Sequence, residues 1–207
     1  MKQLNLLTFF IPFLIITFQG CDSSSTQKIL RPTAIGESAS IVTDEPNAEM
    51  APSREALEAV SNQIGAILKL HIQELNEKEA ISFDREMNYC DLSGLKKAEH
   101  QGDLEKITMK SDYQTCKGTN TLQDGEIQVT FKDLNENGQF PKSLEMTSPN
   151  AYQFNNLTLN QDTFIEGSDI TYNRDDSVKS ITLKINGTLY NYTQKIELTN
   201  YLYQVLF

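Results

Sequence analysis

The sequence predicts an α+β domain, with one long amphipathic helix packed on a curved, mostly antiparallel β-sheet in meander order. Two observations carry this. Apolar residues recur at helical spacing over residues 53–78, and from Ile81 onward the apolar period falls to two. A sheet with one dry face must cover it. The helix can do so, or the strands can close on themselves. The alternative is therefore an all-β sandwich or barrel with the helix outside.

The helix is the plainest element. In "SREALEAVSNQIGAILKLHIQELNEKEA", Leu57, Val60, Ile64, Ile67, Leu68, His71, Ile72 and Leu75 form one stripe. Ser53 is positioned as N-cap. Gly65 lowers propensity without ending the pattern. His71 lies on or beside the stripe and reads as a packed residue, with no acid, thiol or second histidine spaced to work with it.

Residues 79–207 read as a β domain of eight to ten strands. "KITMKSDY" puts Ile107, Met109 and Tyr113 on one side, and "EIQVTFK" sets Ile127, Val129 and Phe131 against polar neighbours. "SITLKINGTLYNY" aligns Ile181, Leu183 and Ile185. Asp124-Gly125 and Asn186-Gly187 are hairpin-turn dipeptides. The second would set Ile185 opposite Thr188, Leu183 opposite Tyr190 and Ile181 opposite Tyr192. "YNRDDSVKS" reads as a longer hairpin loop, with Asp175 and Asp176 solvated in it. "FNNL" shifts the apolar phase at Asn155 and Asn156, as a bulge or turn would. The ending "YLYQVLF" reads as a last core strand, apolar on both faces with Leu202 and Leu206 buried.

Ahead of this domain the chain changes character. Lys2 precedes an apolar run, Leu4 to Phe18, which is shorter than the roughly 20 residues a membrane-spanning helix needs. Residues 1–20 read as an export signal peptide. Residues 22–52 are rich in Ser, Thr, Pro and Glu and poor in large apolar side chains, so residues 21–52 read as a flexible tether. Without the leader the chain carries 17 basic and 28 acidic residues, net −11. That charge argues against nucleic acid as a partner, because phosphates need Lys and Arg to neutralise them. It argues equally against a polybasic grip on anionic lipid.

At the junction stands "FQGC", residues 18–21, which resembles the lipobox of bacterial lipoproteins. Gly20 and Cys21 fit the pattern, while Phe18 and Gln19 depart from its usual leucine and small residue. The resemblance implies cleavage before Cys21, a lipid on its sulfur, and residence in the cell envelope, bound to a membrane through that anchor. In enteric-type sorting Asp22 would hold such a protein in the inner membrane; other lineages differ, so inner and outer membrane both stay open. If Cys21 is acylated, the remaining cysteines, Cys90 and Cys116, can pair; if it is not, a free thiol is left over. The rival use of this pair is a metal site with His71 and His100, although no CxxC or HxxxH spacing supports it. The layout "YCDLSG", "YQTC", "LQDGEIQVTF" resembles several bacterial lipoproteins with cysteines on neighbouring strands, which implies a stapled β domain and no activity.

Chemistry-bearing motifs are sparse. "DLNENG" matches the first half of an EF-hand-type calcium loop, with Asp133, Asn135 and Asn137 as ligands and Gly138 for the turn. The twelfth position is Leu144 instead of an acid, and the same residues make ordinary turns. Ser93-Gly94 lacks the surroundings of a nucleophile elbow. Asn156, Asn186 and Asn191 begin N-x-T triplets that read as strand-edge residues. The expectation is a non-enzymatic binding or scaffolding protein without cofactor, its partner an envelope protein. The alternative is a carrier whose half-barrel encloses a lipid or other apolar ligand.

Overall fold

The computed structural model describes residues 39–42, 49–50, 52–77 and 84–207, so the expected export signal and Cys21 lie outside the described residues. In chain order the elements are β1 (Ala39–Val42), β2 (Glu49–Met50), α1 (Arg54–Asn76), β3 (Asp84–Tyr89), β4 (Ser93–Gly102), β5 (Lys106–Lys117) and β6 (Leu122–Lys132). Then come β7 (Ser143–Thr147), β8 (Tyr152–Phe154), β9 (Leu157–Leu159), β10 (Phe164–Tyr172), β11 (Val178–Asn191) and β12 (Gln194–Leu206).

The helix starts where its cap stands. Ser53 is extended, and its hydroxyl accepts the Ala56 N–H. Val60, Ile64, Ile67, Leu68 and Ile72 are fully buried, as the stripe requires, and His71 is buried among them. These residues join strands β5 to β12 in one hydrophobic core. At its far end the helix is closed by a distant loop. Gln139 Nε2 donates to the Asn76 carbonyl, and the Phe140 N–H donates to Asn76 Oδ1.

Every ladder is antiparallel, and the main path runs β2-β1-β12-β11-β10-β7-β6-β5-β4-β3. The short strands β8 and β9 link β6 to β11, so β6, β7, β10, β11, β9 and β8 close into a ring of six. The chain is thus one helix with a predominantly antiparallel sheet that includes the barrel-type closure of the alternative reading. The register shows how the ring arises. β5 occupies one edge of β6 throughout, while β7 and then β8 share the other edge. β10 and β9 share one edge of β11 in the same way.

The interruptions fall in line across the sheet. Registers shift between Ser93 and Leu95, between Tyr113 and Cys116, and between Ile185 and Gly187. Between these, residues 148–151 separate β7 from β8, and 160–163 separate β9 from β10. Residues off the usual backbone mark the line: Gly94, Thr115, Gly125, Gly187 and Asn200 all have positive φ. Asp124 Oδ1 accepts the Thr115 N–H, Asp162 holds Thr188, and Asn186 Oδ1 accepts the Asn200 N–H. Bulges bend strands and increase their twist, so a row of them folds the whole sheet along one axis.

Both expected hairpin dipeptides belong to this row. Asp124-Gly125 lies inside β6 and Asn186-Gly187 inside β11. Ile185 therefore faces Tyr201, Leu183 faces Tyr203, and Ile181 faces Val205. The reason is shared chemistry: a bulge, like a tight turn, needs a residue that tolerates positive φ. Gly187 has φ 110, and a side chain there would meet the Asp162 carbonyl. The actual turn is Tyr192-Thr193, with Tyr192 at φ 55. Asn155-Asn156 does turn the chain, between β8 and β9, and residues 173–177 form the expected longer loop. Two further readings change. β1 and β2 fall inside the expected tether, because the outer edge of β12 offers backbone partners to Ala39–Val42. Leu206 and Phe207 are exposed, so the last strand has one dry face only.

Candidate functional site

The C-terminal half of α1 carries Leu70, His71 and Glu74 to the β4–β5 side of the sheet. Strand alternation places Lys96, Ala98 and His100 on one face of β4, opposite Tyr113, Ser111 and Met109 of β5. Glu74 joins the two layers. Its Oε2 accepts from Lys96 Nζ at 2.5 Å, and its Oε1 lies 3.9 Å from His100 Nε2. Lys96 also stands over the Tyr113 ring, 5.5 Å from its centroid. Behind Tyr113, Tyr152 lies 5.8 Å away ring to ring and donates its hydroxyl to Gln123.

His71 Nδ1 is 2.9 Å from the Ile67 carbonyl, which fixes its proton there and leaves Nε2 buried without a hydrogen-bond partner. Burial holds the His71 imidazole below its usual range, with Lys96 and His100 adding to the effect and Glu74 opposing it. Burial raises the Tyr113 phenol, and the Glu74 carboxylate raises it further. Burial does the same for Tyr152. Both phenols are hydrogen-bonding groups at neutral pH.

Above this cluster opens a recess of about 270 Å³, lined by Leu70, Glu74, Asn88, Lys96, Tyr113 and Gln123. Its rim carries the Cys90–Cys116 disulfide, whose Cα atoms are 5.5 Å apart. On the other face of the same strands a groove of about 430 Å³ runs past Arg85, Met87, Lys97, Glu99, Lys110 and Asp112. Its charges alternate in sign: Arg85 pairs with Glu99 at 2.9 Å, and Lys97 approaches Asp112 at 4.0 Å. The arrangement presents carboxylate, ammonium and amide groups beside aromatic walls, a surface suited to recognition by hydrogen bonds and partial burial.

The residues singled out in the sequence that lie among the described ones have these places. Cys90 and Cys116 bond to each other, away from any shared use with the histidines. Among the described residues no three His, Cys, Asp or Glu side chains gather as a metal site. His71 and His100 do come together, around Glu74. That acid stands three positions after His71, the spacing that puts two residues on one helix face, so the expectation that no acid or second histidine is placed to work with His71 is corrected, and Glu74 is the signal that could have found the cluster. Lys96 and Tyr113 gave no sign in sequence. In the "DLNENG" loop, Asn135 Oδ1 accepts the N–H groups of Asn137 and Gln139, and Asp133 accepts from Ser143. Leu144 is buried, and Glu145 pairs with Lys132. The loop so shaped delivers Gln139 and Phe140 to the end of the helix. Asn156 Nδ2 donates to Asn191, tying two of the N-x-T triplets together.

No protein-family model, curated protein or solved structure matches this chain.

Proposed function

We propose that the chain is a bacterial envelope lipoprotein, anchored to a membrane through Cys21, whose β domain has a non-enzymatic binding or scaffolding role. The anchor reading is supported by the "FQGC" junction and the apolar leader before it. The choice of a binder over a carrier is supported by one observation: the inner face of the sheet is already occupied. Val60, Ile64, Ile67, Leu68 and Ile72 of the chain's own helix are fully buried against it, where an acyl chain would have to lie. Recognition then falls to the outside of the molecule, and the margin around β3–β5 offers the recess and the groove.

Metabolic labelling with a fatty-acid analogue tests the anchor. Label on the wild type and its loss in Cys21→Ser are the expected results; label that survives the substitution defeats the assignment. The carrier is tested by extracting the purified protein and weighing its lipid. A stoichiometric acyl ligand that remains in Cys21→Ser would replace the binding reading with the carrier.

A further inference from the structure

The recess beside the helix takes its outer walls from two turns. Asn88, Tyr89 and Asp91 come from the end of β3 and the turn after it, and Thr121 and Gln123 from the turn before β6 and that strand's start. The two turns are fastened to each other. The Cys90–Cys116 disulfide joins them, and the Leu92 N–H donates to the Lys117 carbonyl at 3.0 Å. The second turn is closed in itself, the Gly118 N–H donating to the Thr121 carbonyl at 2.8 Å. Walls fixed in advance have little freedom to lose on binding. At about 270 Å³ the recess is smaller than the roughly 300–1,000 Å³ that encloses a drug-sized ligand. It has room for one small ring.

The chemistry of the lining narrows the ligand further. Its ammonium group, Lys96, is already held by Glu74 at 2.5 Å, so it is not available to an anion. Asp91 and the chain's net charge of −10 repel an anion as well. An ammonium ligand meets the opposite obstacle. The place it would take, against the Glu74 carboxylate and over the Tyr113 ring, is filled from within by Lys96. What the recess leaves to solvent is hydrogen-bonding capacity. Gln123 spends its Oε1 on the Tyr152 hydroxyl and keeps its N–H donors. Asn88 spends its Nδ2 on Glu86 and keeps its Oδ1. The Asp91 carboxylate and the Thr121 hydroxyl have no hydrogen-bond partner among the described residues. Beside these donors and acceptors stands Tyr89, an aromatic ring 88% exposed.

We propose that this recess binds a neutral saccharide ring. A pyranose supplies what the lining is short of. Each of its hydroxyls is both donor and acceptor, so one ring can meet the Asp91 carboxylate, the Asn88 and Gln123 amides and the Thr121 hydroxyl together. Its flat side is a set of polarised C–H groups, which the electron-rich face of the Tyr89 ring attracts. It brings no charge to conflict with Asp91 or to displace Lys96. The staple then has a role in recognition, since it holds the turn that carries Asp91 against the one that carries Thr121. The inference rests on the binding reading above and gives it a ligand class.

Saturation-transfer NMR on the full chain tests it, in a detergent without sugar headgroups. The probes are the methyl glycosides of glucose, galactose, mannose and N-acetylglucosamine, with methylammonium and methyl phosphate as charged rivals. Transfer to the ring protons of at least one glycoside is expected, at roughly millimolar affinity for a ligand of so few atoms. Tyr89→Ala and Asp91→Ala should each lower that transfer several-fold. Tyr89→Phe, which keeps the ring face, should retain it, as should Leu104→Ala, which removes an exposed apolar side chain beyond the far end of β4. All three positions are exposed, and the Cys90–Cys116 bond, read by gel mobility without reductant, reports that each variant folds. No transfer to any glycoside, transfer indifferent to Tyr89→Ala and Asp91→Ala, an equal loss in Leu104→Ala, or stronger transfer to a charged rival than to every glycoside would each overturn the proposal. The anchor and binding readings fail by other signs, a fatty-acid label that survives Cys21→Ser and a stoichiometric acyl ligand, so the failures are distinct.

Discussion

The two halves of the helix meet the sheet under opposite conditions. Toward its N-terminus α1 packs on β12 with almost no polar matter between them. Gly65 lies so close to Val205 that a β-carbon there would sit 2.8 Å from Val205 Cγ1, and Ser61 is fully buried. Toward its C-terminus the same helix brings His71 and Glu74 against Lys96, His100 and Tyr113. The first contact is governed by volume and the second by charge and protonation. One apolar stripe thus serves two kinds of packing, and what differs is the strand it meets.

That contrast can be broken from either side. The largest effect is expected at the polar end from removing the staple. Replacing Cys90 and Cys116 with serine should cost roughly 3.5 kcal/mol in the chain-entropy model for a loop of this length, measured by urea unfolding. At the dry end, Gly65→Val should cost about 1–3 kcal/mol by overpacking. Adding Val205→Ala should recover part of that loss, because the crowded atoms are those of Val205. If the second change deepens the loss, the contact is not limited by volume. Lys96→Met should cost about 1 kcal/mol, the upper end for a solvent-screened pair, as it leaves the half-buried Glu74 carboxylate without its ammonium partner.

The smallest effect is the most selective. The His71 pKa in the fold lies below its unfolded value near 6.5. Above that pH both states carry the neutral ring, and stability does not change on this account. As pH falls below 6.5 the unfolded chain takes up the proton first, so stability drops until the folded pKa is reached. His71→Leu should flatten this acid limb in thermal melts between pH 7 and pH 5. An unaltered limb would place the titration elsewhere.

What could be read from sequence divides along the range of the interactions. The helix, its Ser53 cap and its buried stripe were legible because each depends on residues a few places apart. Strand alternation in β5, β6 and β11 was legible for the same reason. The Asn155-Asn156 turn was visible as a phase shift. The Asn186-Gly187 and Asp124-Gly125 dipeptides misled, since the backbone freedom they supply is needed equally by a bulge, and only the neighbouring strands decide which forms. The real turn at Tyr192 escaped because tyrosine is a poor candidate for positive φ. The "DLNENG" loop carried a calcium-like spelling, yet its part in capping the helix depends on Asn76, which no local pattern connects to Gln139. The recess was hidden in the same way, since Glu74, Lys96 and Tyr113 come from three separate elements.

The order of the chain has a kinetic consequence. In a meander, each hairpin can close as soon as its two strands exist. The helix cannot do likewise: it is made before every strand of the core, yet residue 65 finds its cover at residue 205, in β12, which follows all the other described strands. A growing chain therefore holds this apolar stripe uncovered until β12 has been made, and exposed surface of this kind invites aggregation. Docking of the helix should be the late step, and a chain cut short before β12 should be the form that chaperones and proteases see.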